Sequence, residues 1–292
     1  MIQDVLLLIG ERLALSTINT LEMLGVLLLP VVFACIPLHL LRRFAQETVG
    51  RVFGWGGVVA FGLIGTLVHE FSHLAPLVLT GHQIERIALF EPHQAEGILG
   101  YVIYRRDESS LLQQIGGVLS SYAPLVGGAV ALFTLTRLFY PGFALHPSAA
   151  PDLPLFDLDI AFSPARYLSF LEDLAHYIIA IVRDLAAQID FADWHTWLYG
   201  YVAFSISQNL SPSQIDIASS WAPAGLILIF LILLNAVVLF FSDVSVELLA
   251  LLAKPIAVLV GLLYFALALA GVGALVALGL GLIGGLFRTT AA

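Results

Sequence analysis

The residues best suited to chemistry are His69-Glu70-Phe71-Ser72-His73, an HExxH pattern. On a helix, two His four positions apart lie on one face a turn apart, so both imidazoles can reach one metal ion. Glu70 is not a ligand in this pattern. Beside the metal it can take a proton from an activated water and deliver it to a leaving amine. Zinc is the metal such a site expects, because it lowers the pKa of a water it holds toward about 7. A catalytic zinc needs a third protein ligand and one open position. Asp216 is the first candidate, since it follows the apolar segment ending at Asn209-Leu210-Ser211-Pro212. That segment and the HExxH segment have one crossing between them, so they run parallel and end on one membrane face. Glu172, Asp173 and His176, clustered at helical spacing, and Glu247 are rivals for the same role. The bland alternative is a buried polar cluster between helices, with Asp216 an interfacial loop carboxylate. His82, His93, His146 and His195 read as exposed or interfacial.

The setting of the motif sharpens it. The chain has 292 residues, 60% hydrophobic and 11% charged, with mean hydropathy +0.97. Soluble domains carry roughly a quarter charged residues. Several stretches exceed the about 18 apolar residues that mark a membrane crossing. His, Glu and His inside such a stretch are costly, and intramembrane ionisable groups point to function by default. A net charge of −9 argues against nucleic acid as a partner. The single cysteine, Cys35, can form neither an internal disulfide nor a Cys-rich metal site. The first residues lack the positive n-region of a secretory signal.

The elements that must position the motif follow from apolar runs and breakers. Residues 5–20 read as an interfacial helix or lead-in. A first span over 21–41 is expected to kink at Pro30 and Pro37 and to close at Arg42-Arg43. A second, 57–80, carries the HExxH and stops at Gly81. Two β-type runs, 83–90 and 100–105, flank the turn signals Glu91-Pro92 and Glu96-Gly97, which predicts a hairpin-like excursion. The third span, 115–140, contains Pro124 and Gly127-Gly128, small residues that permit close helix approach. After a loop over 141–160, Ser163-Pro164 starts an amphipathic helix with Leu168, Leu171, Leu174, Ile178 and Ile181 on one face. A short fourth span over 195–210, a fifth over 221–242 and a long stretch over 246–287, divided at Lys254-Pro255, complete the count. The expected fold is an all-α polytopic membrane protein with six or seven transmembrane helices around a three-helix core. Its expected parts are residues 1–56, a core over 57–220, and C-terminal spans over 221–292. The distribution of Arg and Lys leaves the orientation open.

Together, the HExxH span and the Asn209-Leu210-Ser211-Pro212 run leading to Asp216 resemble the site-2 protease family of intramembrane zinc metalloproteases. The resemblance covers roughly 57–220. It implies zinc held by His69, His73 and Asp216, with Asn209 positioning the substrate or its oxyanion. It also implies a membrane-protein substrate cut within or beside a transmembrane segment, and a multi-pass location in the cell membrane. Two departures stand out: Asn209 to Asp216 is one residue shorter than the family's spacing, and Ile217 replaces the usual Gly. No PDZ-like insertion is visible. Two other classes compete: a non-proteolytic membrane scaffold, and a second lineage of membrane zinc peptidases that takes a distal Glu, here Glu247. The oligomeric state is not legible.

Overall fold

The computed structural model describes residues 2–145, 164–211, 229, 233 and 244–289, and these are mostly helical. The elements are α1 (Ile2–Leu79), β1 (Gln83–Ala88), β2 (Tyr101–Arg105), α2 (Leu111–Phe139), α3 (Pro164–Ala186), α4 (Trp194–Ser207) and α5 (Val244–Thr289). Among the described residues, three helical segments are long and apolar enough to cross a membrane: Ala34–Leu79, Leu111–Phe139 and Val258–Leu282.

α1 is two arms joined at Gly54, whose φ of 68° and ψ of −165° interrupt the helix. That backbone region is open to glycine and strained for other residues. The arms fold back on each other. Gly50 approaches Val58, Gln46 shares a cavity wall with Val58 and Gly62, and Arg42 faces the same space as Thr66 and His69. This corrects the expected boundary: the first arm does not close at Arg42-Arg43 but runs on to the Gly54 break. Arg42 has an internal partner, donating from Nη1 to the Ser211 carbonyl at 3.0 Å, so it needs no water interface. Pro30 and Pro37 leave the arm helical.

The second arm ends as its sequence predicts. His82 N–H donates to Leu77 O and Gly81 N–H to Val78 O, at 2.9 and 3.1 Å, with Gly81 at φ 73°. Those are the two bonds of a Schellman cap, which requires a left-handed residue at Gly81. The chain then forms the expected hairpin. β1 and β2 pair antiparallel, Gln83 opposite Arg105 and Ala88 opposite Tyr101, with a bulge between Ile84 and Arg86. A His93–Ile98 bridge and Gly97 at φ 66° shape the turn.

α2 starts at the N-cap Ser110, whose side chain accepts from Gln113 N–H. α4 starts at Asp193, which accepts from His195 N–H. With 14 residues α4 is about 21 Å long, shorter than the roughly 30 Å hydrocarbon core. α5 is a single helix of 46 residues, so Lys254-Pro255 does not divide it. It is also the centre of the packing, touching α1, α2, α3 and α4. Its Leu263–Ala270 stretch is buried on every side, the mark of a helix enclosed by others. On α3 the stripe that packs is Tyr177, Ile181 and Leu185, with Leu174 and Ile178 half-buried. Leu168 and Leu171, expected on that face, are exposed. The fifth expected span falls almost entirely outside the described residues.

Small residues set the spacing between the second arm of α1, α2 and α4. A Cβ on Gly65 would collide with the Ser205 carbonyl and the Asn209 amide. Added to Gly127 it would meet Ser72, to Gly128 Leu210, and to Gly116 Thr80. Without a water-driven hydrophobic force between helices in lipid, such close backbone approach is what holds them.

Two outcomes follow for thermal unfolding of the detergent-solubilised protein. Gly65→Val, which meets backbone that cannot swing aside, is expected to cost about 1–3 kcal/mol or abolish folding. Gly200→Ala, with open space around it, is expected to be neutral or slightly stabilising. Separately, the Asp193 carboxyl is held below the usual carboxylate range by its bonds to His195. A depressed folded-state pKa means that this stabilisation is full above about pH 4, the unfolded value, and is lost as pH falls through the lower folded value. Asp193→Asn should flatten that acidic limb of the stability-versus-pH curve.

Candidate metal centre

The HExxH residues sit about five turns into the second arm of α1, where it is clamped between α2 and α4. His69, Glu70 and His73 are all buried. His69 Nδ1 lies 2.6 Å from the main-chain carbonyl of Asn209, past the end of α4. His73 Nδ1 lies 2.8 Å from the main-chain carbonyl of Ser120 on α2, and the Ser120 hydroxyl donates back to His73 O at 3.1 Å. A carbonyl oxygen only accepts, so each Nδ1 carries a proton and Nε2 is the ring atom left for a metal ion. The two Nε2 atoms face each other at 3.2 Å, with ring planes at 80°.

Two Nε2 atoms at this separation share a cation between them, a proton or a metal ion. Two nitrogens each 2.0–2.1 Å from one tetrahedral ion are separated by roughly 3.3 Å. The observed separation fits that geometry. The carbonyl partners are the outer contacts that fix tautomer and ring orientation in metal-binding His. The donor set therefore fits zinc at two positions. Among the described residues no third His, Cys, Asp or Glu joins His69 and His73 in a metal-holding group. Asp216, expected as the third ligand, lies outside the described residues. Of its rivals, Glu172, Asp173 and His176 are exposed on α3, and Glu247 falls in the first turn of α5.

His69, Glu70, His73 and Asn209 line one cavity of about 300 Å³. Its other walls come from Arg42, Gln46 and Thr66, from Ser120 and Ser121, and from the Gly97–Val102 stretch with Tyr104. The hairpin thus lies directly over the motif. Gly100 is the point of closest approach: a Cβ there would be 2.9 Å from Glu70 Cγ and 2.8 Å from Leu89 O. Without a side chain, the strand can pass over the carboxylate. Asn209 reaches the site through its main chain, while its side-chain amide donates to Ser205 O at 3.0 Å.

His82, expected to be exposed or interfacial, is not exposed. It is buried, hydrogen-bonded through Nδ1 to Thr80 Oγ1 at 2.9 Å, and edge-on to Tyr104 at 5.2 Å. Burial holds its pKa below the usual histidine range. His93 and His195 are exposed as expected. Sequence reasoning missed Ser120, Arg42, Thr66 and Gly100. The adjacent polar pair Ser120-Ser121 in an otherwise apolar span was the available signal; nothing in the chain alone marks Gly100.

No protein-family model matches the chain, and neither a curated protein nor a solved structure matches it. The class that the fold defines is therefore a mostly helical protein with membrane-length apolar helices and a small two-stranded sheet.

Because the Asn209 contact is main-chain, Asn209→Ala should keep His69 oriented. Zinc affinity, measured by chelator competition, is expected to stay within about threefold of wild type. The 10–100-fold loss usual when a ligand's supporting partner is removed would contradict this assignment.

Proposed function

We propose that this chain is an intramembrane zinc metalloprotease, similar to the site-2 proteases, that hydrolyses peptide bonds within or beside transmembrane segments of membrane proteins. One observation carries the proposal: the buried His69 and His73 present Nε2 to Nε2 at 3.2 Å, each tied by Nδ1 to a main-chain carbonyl, with Glu70 on the same turn. In this account His69, His73 and Asp216 hold the ion. When bound there, zinc supplies Lewis-acid polarisation of the scissile carbonyl and a water that ionises near neutral pH.

The chain's own residues do the rest. Glu70 takes the proton from the attacking water and returns it to the leaving nitrogen, so that water adds to the carbonyl carbon and the C–N bond breaks to carboxylate and amine. The substrate helix must unwind to reach Glu70. β2 lines the cavity along Tyr101, Val102 and Tyr104, and only its β1 side is paired among the described residues. An extended peptide can add to the other edge as a strand. Asn209 orients His69 and lines the cavity floor, where its amide is a candidate contact for substrate. In the full protein six or seven spans would surround the core formed by the second arm of α1, α2 and α4, in a multi-pass cell-membrane arrangement.

A scaffold that had merely kept this fold would have no use for Glu70 beneath the strand. Glu70→Gln is therefore the discriminating variant. Zinc content should be unchanged, and hydrolysis of a reconstituted transmembrane substrate should fall by roughly 10²–10⁴-fold. Full activity in Glu70→Gln would exclude the mechanism. In parallel, Asp216→Ala should lose zinc and Glu247→Ala should keep it; the reverse pattern would favour the lineage with a distal Glu.

A further inference from the structure

Among the polar side chains lining the cavity, Arg42, which also donates to the Ser211 carbonyl, Gln46 and Thr66 are neither metal ligands nor the general base. Arg42 and Gln46 are four apart on the first arm of α1, so they share one face, and both line the cavity opposite the motif. Thr66 lies on the second arm, one turn before Glu70 and on its face.

Thr66 differs from six other hydroxyls on these helices. Thr17, Thr48, Ser72, Thr80, Ser121 and Thr136 each donate to the carbonyl four residues back. That is the usual resting place of a helical hydroxyl away from water. Thr66 is 4% exposed, yet its Oγ1 has no hydrogen-bond partner among the described residues. A buried hydroxyl held off its own helix at a cavity wall takes a partner from beyond the described residues, and a ligand in the cavity is one such partner.

We infer that Arg42, Gln46 and Thr66 form a carboxylate-binding subsite beside the metal centre, so that the preferred substrate presents a carboxylate next to the bond that is cut. This rests on the protease proposal for its substrate. The guanidinium fork matches a carboxylate in geometry as well as charge, and the Gln amide and Thr hydroxyl add neutral donors. The carboxylate has two sources: an acidic side chain, or the free C-terminus of a chain already cut.

The test is binding, which needs no turnover. A fluorophore-labelled apolar peptide is prepared in four forms, with Glu or Gln at one internal position and a free or amidated C-terminus. Each is titrated by fluorescence anisotropy against full-length Glu70→Gln protein in detergent. The Glu form or the free-terminus form should bind at least about tenfold tighter than the amidated Gln form, about 1.4 kcal/mol, and which one does so names the source. Adding Arg42→Gln should erase that preference while leaving the amidated Gln form within about twofold. Thr66→Val, nearly isosteric, should reduce the preference without touching the neutral peptide. Equal affinity for all four forms, or an Arg42→Gln loss shared equally by all four, would overturn the subsite and leave Arg42 as the anchor of the Ser211 carbonyl. Hydrolysis by the wild type reads the protease proposal separately: preference without cleavage sinks that proposal alone, and cleavage without preference sinks only the subsite.

Discussion

The arrangement depends on one constraint: two imidazole lone pairs must be aimed at the same point in a buried site. An imidazole on an apolar helix has no reason to choose that orientation. It is imposed from outside the helix, by the Asn209 carbonyl on one side and the Ser120 carbonyl on the other. Main-chain carbonyls are rigid acceptors that cannot rotate away, and each consumes the Nδ1 proton. What remains is a pair of Nε2 atoms at about the separation a tetrahedral ion expects.

Bringing two foreign carbonyls that close to one helix requires backbones to approach nearer than ordinary side chains permit. Glycines at 65, 116, 127 and 128 remove the obstructing Cβ atoms along exactly the contacts that seat α1 against α2 and α4. Gly100 does the same for the strand that closes the cavity above Glu70. The metal centre and the helix packing are therefore one design problem solved by the same residues. α5 supplies the remaining support, since it packs against each of the other described helices and its Leu263–Ala270 stretch is enclosed.

Much of this was legible from local patterns. The HExxH identified the face of α1, Gly81 marked its end, and alternating residues with turn signals gave the hairpin. Each is a short-range rule whose information lies within a few residues. What escaped was non-local. The Arg42-Arg43 pair looked like a water boundary because charge at the end of an apolar run usually is one; here the Ser211 carbonyl, far along the chain, gives Arg42 an interior partner. The stop at Gly54 was overlooked because a glycine in a Gly-rich apolar run gives no hint of which one will break the helix. Ser120 was missed because its functional atom is a main-chain oxygen, which every residue has. Lys254-Pro255 failed as a breaker because one missing donor need not end a long helix. Asp216, expected as a third ligand, falls outside the described residues, so the described part of the candidate site is His69, His73 and Glu70.

Zinc K-edge X-ray absorption on the purified, detergent-solubilised wild type tests the centre most directly. The account predicts about one zinc per chain in a four-coordinate shell, with two imidazole nitrogens at about 2.0–2.1 Å. Folded protein that binds no zinc, or zinc whose spectrum lacks imidazole scattering, would contradict it.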